Sequence, residues 1–255
     1  MNDDIVLLQR LGEILDQTVA GEVCSSRRSG KPSSRTRGVA PGPHKPAQDE
    51  TVRDLLIRSL LKVRNKARGL VPLIPNRAQR EFAANCTHRN IVLKARQMGI
   101  TTYVAARFFV QTITRPGTMT VQVAHDQESA EEIFKIVHRY WENLPETMKR
   151  GALTRSRANV RQMVFPRLDC EYRVATAADV NAGRGMTIHN LHCSEVARWL
   201  REPEEALASL RAAVPVDGDI ILDEKFKEGM GKMIDGAVEC LNASVWAKQE
   251  HAAAK

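Results

Sequence analysis

The chain has 255 residues, of which 43% are hydrophobic, so it is long and apolar enough to form a buried core in one large domain or in a smaller domain with extensions. No apolar run approaches the roughly 20 residues that cross a bilayer, so we predict no membrane-spanning segment. The acidic N-terminus differs from the basic start of a secretory signal, so we predict no cleavable signal either. Five widely spaced cysteines without a C-x-x-C pair favour a reduced, cytoplasmic protein.

The net charge of +8 is concentrated in one part of the chain. Residues 51–115 contain 13 Lys and Arg but only two acidic residues, so this segment carries +11 and the other 190 residues together carry −3. Such a concentration favours a polyanionic partner, either nucleic acid or nucleotide phosphates. A solvated basic helix is the alternative explanation.

The first 50 residues divide into two segments. Residues 1–20 carry apolar residues at helical spacing, as in Leu8, Leu11 and Leu15, and this pattern predicts a short amphipathic helix. Residues 21–50 lose the periodicity and are rich in Ser, Pro, Gly and Arg. A segment of this composition buries too little apolar surface to offset the entropy of ordering, so we predict a disordered basic linker.

Helix-like and strand-like runs alternate through residues 51–222. A helical pattern covers 51–68 and ends before the two prolines of VPLIP, because a residue before proline disfavours the helical conformation. The following strand-like runs are 90–93, 118–124, 161–165, 171–176, 187–193 and 218–222, and the helical runs are 101–113, 127–141 and 204–213. This alternation predicts an α/β domain with a mostly parallel sheet flanked by helices.

The last 33 residues, 223–255, interrupt this alternation. They contain charged helix formers, an amphipathic pattern over 233–246 and an Ala-rich end. We therefore predict a helical tail in this segment and not a further strand of the sheet.

The segment NIVLKARQMGITTY, residues 90–103, lies between a predicted strand and a predicted helix. In a standard phosphate loop, G-x-x-x-x-G-K-[ST], backbone N–H groups surround phosphate, the Lys contacts the β- and γ-phosphates, and the hydroxyl binds Mg²⁺. Gly99 and Thr101 occupy the second Gly and the Ser/Thr positions, but Ile100 replaces the Lys and Lys94 replaces the first Gly. Taken alone, the segment also fits an ordinary strand–turn–helix with a glycine at the turn.

In its context this segment resembles the ATPase half of the large subunits of phage terminases, the packaging motors of tailed phages. Many of these proteins have a phosphate loop whose Lys has moved to the start of the motif, and KARQMGIT resembles that variant. The resemblance implies that Lys94 binds phosphate, that Arg96 is a second, catalytic cation, and that Thr101 binds Mg²⁺. The nucleotide-binding residues it implies are Gln79, Lys94, Ala95, Arg96, Gln97, Met98, Gly99, Ile100, Thr101 and Thr102.

Two further segments resemble the same family in the expected order. Gln79, in PNRAQREF, precedes Lys94 by 15 residues and resembles the adenine-recognising Gln of motor ATPases. An amide both donates to and accepts from the adenine edge, although an unspecialised Gln on a helix surface is the alternative. Residues 118–145 resemble the second strand of the family and the helix that follows it.

The segment GRGMTIHNLHCSEVARW, residues 183–199, resembles the acidic strand of the family. A Walker B motif is an apolar strand ending in Asp-Glu, in which the Asp orients Mg²⁺ and the Glu polarises the attacking water. This strand ends in Ser194-Glu195, so the resemblance implies that Glu195 is the catalytic carboxylate and that Ser194 holds Mg²⁺ through water without adding charge. An ordinary acid at a strand end is the alternative for Glu195. Arg184, between two glycines, is a candidate phosphate sensor.

Three residues of this strand suggest a transition-metal site at first sight. On a strand, however, His189 and Cys193 share a face and His192 points to the other, so the three side chains do not converge. We therefore predict no metal site of this kind.

The resemblance covers residues 53–222, about two thirds of the chain. It implies a P-loop NTPase of the RecA-like (ASCE) type that binds ATP and Mg²⁺ and hydrolyses ATP to drive double-stranded DNA into a procapsid, in the cytoplasm of a bacterial host. The partners it implies are a terminase small subunit, the portal of the procapsid and further copies of the chain.

The chain departs from the family at its C-terminal end. The segment Asp223-Glu224-Lys225 does not match the Ser/Thr-containing coupling motif expected after the last strand, and the chain ends before a nuclease domain could fit. The resemblance therefore predicts a truncated or rearranged large subunit of a phage or prophage. Two other hypotheses stay open, a catalytically inactive remnant that binds nucleic acid through basic residues 27–68, and a helicase-like ATPase.

Overall fold

The computed structural model describes residues 48–65, 67–95, 97–158, 161–179, 185–199, 203–225 and 244–247. The predicted N-terminal helix, most of the predicted linker, Arg96, Arg184 and most of the C-terminal tail lie outside these ranges. The described strands are β1 (Lys62–Arg64), β2 (Leu70–Pro72), β3 (Arg89–Lys94), β4 (Met119–Ala124), β5 (Arg157–Ala158), β6 (Gln162–Phe165), β7 (Cys170–Thr176), β8 (Asn190–Ser194), β9 (Asp219–Lys225) and β10 (Ser244–Ala247). The helices are α1 (Gln48–Leu60), α2 (Arg77–Asn85), α3 (Ile100–Thr114), α4 (Gln127–Glu142), α5 (Glu146–Arg150) and α6 (Pro203–Ala212), with a 3₁₀ turn at Val196–Arg198.

The main sheet has the strand order β10-β3-β9-β8-β4-β7-β6-β5. All neighbours from β10 to β7 are parallel, whereas β6 and β5 extend the β7 edge as antiparallel strands. This arrangement confirms the predicted α/β class with a mostly parallel sheet. Such sheets are covered on both faces, and all five residues of β8 are accordingly buried.

Helices cover both faces of the sheet. On one face, α1 to α4 contribute large apolar side chains such as Ile57, Phe82, Phe109 and Phe134 to one core cluster. On the other face, Leu207 and its neighbours on α6 form a second cluster. Helix α3 has 13 of its 15 residues buried, including the polar Arg107 and Gln111, so it is covered on all sides. None of the helices in the described ranges is long and apolar enough to cross a membrane.

The order of the parallel strands places a topological switch point beside β3. From β3 the chain crosses to β4, and β8 and β9 later fill the two positions between them, while β10 lies on the opposite side of β3. Ligands of open α/β sheets bind outside the carboxyl ends of the strands where the direction of the connections reverses in this way. The loop that follows β3, which contains the predicted phosphate-binding residues, lies at this position.

The predicted helix over 51–68 is wrong at both ends. Helix α1 begins at Gln48, inside the predicted linker, and ends at Leu60, after which β1 and β2 form an antiparallel hairpin with Val63 opposite Val71. The hairpin turn explains the difference, because the Asn65 Oδ1 atom accepts a hydrogen bond of 2.8 Å from the Gly69 N–H and Arg68 adopts a φ of +67°. Asn and Gly favour such turns for these local reasons.

The predicted helical tail is also wrong where the structure describes it. Strand β9 continues past Leu222 to Lys225, and Ser244–Ala247 is a parallel strand beside β3, although the helical pattern over 233–246 includes most of it. The edge of β3 offers a row of unpaired backbone groups, and pairing there outweighs a weak local helix preference.

Candidate nucleotide site

The loop between β3 and α3 turns sharply at two residues with left-handed backbone conformations. Gln97 has a φ of +61° and Gly99 has a φ of +71°. Gly99 also approaches α2 closely, since a Cβ atom at this position would lie 2.8 Å from the Nε2 atom of Gln79. No side chain in the described part of the chain caps the N-terminus of α3, so its first N–H groups and the positive end of the helix dipole favour an anion at this loop.

Helix α2 holds this loop in place through two amide side chains. Asn76 and Gln79 form a capping box, in which the Gln79 N–H donates to Asn76 Oδ1 at 3.0 Å and the Asn76 N–H donates to Gln79 Oε1 at 2.8 Å. The same two side chains donate to the loop, from Asn76 Nδ2 to the Met98 carbonyl at 3.0 Å and from Gln79 Nε2 to the Gly99 carbonyl at 2.8 Å. Gln79 is therefore buried against the loop and not a solvated surface residue.

Lys94 is the last residue of β3, and its side chain folds back over the start of α3. Its Nζ atom donates to Thr101 Oγ1 at 2.6 Å and forms an ion pair of 2.8 Å with Asp223. Ile100, which occupies the standard position of the phosphate-binding Lys, is 1% exposed and packs into the core. A charged side chain would be unfavourable at that core position. Among the described residues of the loop, Lys94 is the one whose positive charge contacts Thr101.

Asp223, on β9, contacts candidate site residues from three other elements, β3, α3 and β8. Its carboxylate accepts hydrogen bonds from Thr101 Oγ1 at 2.9 Å, from Ser194 Oγ at 2.8 Å and from His192 Nε2 at 3.0 Å, in addition to the ion pair with Lys94. Burial by itself raises the pKa of Asp223, but the Lys94 ammonium and the His192 ring outweigh this effect and hold the pKa well below its ordinary value. Asp223 is therefore a fully buried carboxylate that keeps its charge.

A chain of buried hydrogen bonds fixes the orientation of this carboxylate. The Tyr172 hydroxyl donates to Gln122 Oε1 at 2.7 Å, so the Gln122 amide nitrogen is the group that meets His192 Nδ1 at 2.6 Å. Because Nδ1 then accepts, the proton is assigned to Nε2, which donates to Asp223. Such a satisfied buried network favours one arrangement of its members.

Glu195 follows β8 and adopts a left-handed conformation with a φ of +53°. Its N–H donates to the Asp223 carbonyl at 2.8 Å, which places the residue beside the β9 strand end. Its carboxylate lies 2.9 Å from the Arg198 guanidinium and 4.0 Å from the His125 ring at the end of β4. A left-handed conformation is uncommon for a residue with a side chain and often occurs at functional sites.

The remaining loop residues that the sequence singles out have mainly structural contacts. The Ala95 N–H donates to the Met98 sulfur at 3.2 Å, and the Thr102 carbonyl accepts from the Tyr140 hydroxyl at 3.0 Å. Gln97 is exposed. The catalytic role implied for Arg96 and the role suggested for Arg184 concern residues outside the described ranges.

Asp223 is a candidate site residue that the sequence analysis does not single out, because the segment Asp223-Glu224-Lys225 does not match the Ser/Thr coupling motif. The signal was present in the sequence: Ile220–Leu222 is an apolar run followed by Asp223-Glu224, the pattern that β8 lacks. The second acid faces elsewhere, since Glu224 Oε2 accepts from the Ala197 N–H at 2.8 Å.

The described residues include no group of three or more His, Cys, Asp or Glu side chains arranged to hold a metal ion. His189 Nδ1 accepts from the Met119 N–H at 3.1 Å, on a different part of the strand from the Asp223 network. A nucleotide-bound Mg²⁺ does not require such a group, since phosphate oxygens, waters and one or two protein oxygens complete its shell.

The basic residues of segment 51–115 do not form one surface. Arg53 and Arg107 are buried, and Arg89 donates to the carbonyls of Pro215 and Gly218. Three exposed cations instead lie together on the β1–β2 hairpin, at Lys62, Arg64 and Arg68. We call these three residues the basic hairpin.

Comparisons with solved structures identify the fold. The HK97 bacteriophage large terminase matches with a TM-score of 0.63 at 15% identity, over 81% of this chain and 45% of that one. The UvsW helicase of bacteriophage T4 matches with a TM-score of 0.51 at 10% identity, over 78% of this chain and 67% of that one. A Saccharomyces cerevisiae Dbp5 variant bound to Nup159, Gle1, inositol hexakisphosphate and ADP matches with a TM-score of 0.50 at 12% identity, over 69% of this chain and 48% of that one.

Neither a protein-family profile nor a curated protein sequence matches this chain. The chain spans less than half the length of the HK97 large terminase. The sheet order of this chain and its structural neighbours indicate the same architecture, a mostly parallel α/β sheet. The fold of the described residues, a mostly parallel sheet flanked by helices, is similar to that of the HK97 large terminase and of the UvsW helicase.

Proposed function

We propose that this chain is the ATPase domain of a terminase-like DNA-packaging motor, which hydrolyses ATP to move double-stranded DNA. The observation that carries the proposal is the position of Lys94. A phosphate-binding cation that is absent from the standard position is supplied from the start of the loop, and its ammonium lies 2.6 Å from the hydroxyl of Thr101. In the terminase variant that KARQMGIT resembles, the Lys likewise stands at the start of the motif.

In the proposed ATP complex, the loop surrounds the β- and γ-phosphates with its backbone N–H groups and the start of α3. Lys94 binds phosphate oxygens, and the hydroxyls of Thr101 and Ser194 would hold Mg²⁺. Mg²⁺ held there would supply positive charge that neutralises the phosphate oxygens. Gln79 lies on α2 against Gly99 at the end of this loop, and its amide has one further donor and one further acceptor position for an adenine edge.

Glu195 is the proposed residue that orients the attacking water. It follows β8 directly beside Asp223, and its carboxylate is partly neutralised by Arg198 at 2.9 Å. A carboxylate in this position accepts a hydrogen bond from water, which positions the nucleophile. The left-handed backbone at Glu195 fixes its direction.

ATP hydrolysis by three variants tests the enzyme. Lys94→Ala should lose nucleotide binding, whereas Glu195→Gln should still bind ATP and hydrolyse it about 10² to 10⁴ times more slowly. Glu128→Gln, on the exposed first turn of α4, is the matched control and should be indistinguishable from the wild type. Equal background rates in the wild type and both site variants would contradict the proposal.

The motor function requires a separate experiment. Wild-type protein with ATP should displace a triplex-forming oligonucleotide from linear double-stranded DNA, and the Lys94→Ala protein should not. A helicase of the same fold would instead separate the two strands of a partial duplex. In the intact motor, a small subunit, a portal ring and further copies of the chain are the proposed partners.

The basic hairpin favours a second candidate function, nucleic-acid binding without ATP turnover. Its three exposed cations would each neutralise a phosphate, and each neutralised phosphate adds about −0.9 to the slope of log affinity against log salt concentration. Changing Lys62, Arg64 and Arg68 to Ser should therefore reduce the magnitude of this slope by up to about 2.7. The matched control replaces three exposed cations elsewhere, Lys135, Arg150 and Arg211. An unchanged slope in the hairpin variant would contradict this assignment.

A further inference from the structure

The first position of the Walker B pair, which orients Mg²⁺, is a serine in this chain and carries no carboxylate. Strand β8 ends at Ser194, with Glu195 directly after it, and a serine hydroxyl contributes no negative charge. Mg²⁺ in nucleotide sites is usually bound through one or two carboxylates together with phosphate oxygens and waters. An ATP site built on Thr101 and Ser194 alone would therefore lack the anionic component that Mg²⁺ prefers.

Asp223 lies where such a carboxylate is required. It is on β9, the strand between β3 and β8, and pairs in register with Val92 on one side and Ser194 on the other. The hydroxyls of Thr101 and Ser194, which are the two hydroxyls implied for Mg²⁺, donate to its two different carboxylate oxygens at 2.9 and 2.8 Å. Three oxygen-bearing side chains from α3, β8 and β9 thus converge on one point.

We propose that Asp223 supplies the magnesium-directed carboxylate that Ser194 lacks, so that the acidic function of the Walker B strand has moved one strand sideways, from β8 to β9. This inference rests on the proposed binding of ATP. Because β9 is the direct neighbour of β3, the carboxylate stays close to the phosphate loop after the move.

The ion pair between Lys94 and Asp223 should couple the binding of nucleotide to the binding of Mg²⁺. Without nucleotide, Lys94 is the cation that neutralises the fully buried Asp223. Phosphate oxygens compete for the same ammonium, and a buried carboxylate that loses its partner is strongly destabilised. A divalent cation near Asp223 would replace the positive charge that Lys94 gives up to the phosphates. Nucleotide binding should therefore depend on Mg²⁺ more strongly than the attraction between Mg²⁺ and phosphate alone would require.

His192 is the positioning residue for this carboxylate. Its Nε2 atom donates to Asp223 at 3.0 Å, and Gln122 and Tyr172 hold the ring from the other side. Side chains that orient a metal-directed group in this way typically change metal affinity about 10- to 100-fold when removed.

The test measures nucleotide affinity and not turnover. Binding of a non-hydrolysable ATP analogue is followed by calorimetry with Mg²⁺ and with EDTA, and the ratio of the two dissociation constants is compared between proteins. We expect the wild type to bind the analogue much more tightly with Mg²⁺ than with EDTA. In Asp223→Asn, this preference for Mg²⁺ should be about 10- to 100-fold smaller. Asp217→Asn, an exposed acid just before β9, is the matched control and should keep the wild-type ratio.

Relocating the carboxylate keeps the inference testable if Asp223→Asn does not fold. The double variant Ser194→Asp/Asp223→Ser returns the acid to β8 next to the same hydroxyl partners, and it should recover the Mg²⁺ dependence. Circular dichroism verifies that each protein is folded. An unchanged ratio in folded Asp223→Asn, or a folded double variant without Mg²⁺ dependence, would overturn the inference. A wild type that does not bind the analogue at all would overturn the proposed function instead.

Discussion

The Lys94 ammonium and the Asp223 carboxylate form an ion pair of 2.8 Å in which the side chains are 10% and 0% exposed. The two residues are separated by more than half of the chain, and the pairing of β3 with β9 brings them together. At this depth both partners depend on each other, because neither charge is solvated by water.

We predict that removing one partner of this pair destabilises the protein more than removing both. Lys94→Met leaves the buried Asp223 charge without its cation and should lower the free energy of unfolding by about 3 to 5 kcal/mol. Adding Asp223→Asn removes that charge and should recover part of the loss. Urea unfolding of the wild type, both single variants and the double variant measures the coupling energy. Strictly additive effects of the two substitutions would contradict a direct buried pair.

Gly99→Ala should weaken the site without unfolding the protein. The left-handed φ of +71° costs a residue with a side chain roughly 1 kcal/mol, and the new methyl group would lie 2.8 Å from the Gln79 amide, which has to move. We therefore expect a small decrease in thermal stability together with a clear loss of nucleotide affinity. Gly117→Ala is the control, because it has a similar φ of +77° but no neighbour within 4 Å of its Cβ position. Equal nucleotide affinities in the two variants would show that the contact with Gln79 does not matter.

Gln79→Glu should separate the helix-capping role of this side chain from its role at the loop. A glutamate at this position still accepts from the Asn76 N–H, but it no longer donates to the Gly99 carbonyl or to an adenine ring. The variant should keep its fold and lose the preference for ATP over GTP, which a competition binding assay measures. Asn76→Ala removes the N-cap instead and should cost about 1 kcal/mol of stability. A variant Gln79→Glu that retains the ATP preference would exclude adenine recognition by Gln79.

A pH-dependent contribution to stability should arise at the opposite end of the sheet. His88 Nδ1 lies 2.7 Å from Asp219, and this hydrogen bond raises the pKa of His88. Burial by itself raises the pKa of Asp219, but the hydrogen bonds from His88 and Gln111 outweigh it and the pKa is lowered. The pair should therefore be complete between about pH 4 and 6.5, be lost on the alkaline side as the pH rises through the raised pKa of His88, and be lost on the acid side as Asp219 is protonated.

Thermal melts of the wild type and His88→Asn at pH 6 and pH 9 test this contribution. The wild type should be the more stable protein at pH 6, and the difference should disappear at pH 9. Because the His88 side chain is 62% exposed, the effect should not exceed about 1 kcal/mol. A difference that is independent of pH would show that the ring acts through packing and not through its charge.

Local sequence patterns predicted much of the fold because they reflect local physics. The apolar runs at 118–124 and 171–176 and the helical pattern at 127–141 became β4, β7 and α4 with nearly the expected bounds. The patterns were wrong where longer-range pairing decided the outcome. The β1–β2 hairpin and strand β10 exist because backbone groups pair with partners that a helical periodicity does not reveal.

The sequence by itself determined the alternation of strands and helices, the place of the loop after β3 and the absence of a Lys at position 100. Only the tertiary structure decided which acid lies beside that loop. Ser194 and Thr101 lie 29 and 122 residues from Asp223, yet both donate to it. Strand order places β9 between β3 and β8, and strand order depends on how the helices cover the two faces of the sheet, which no local pattern encodes.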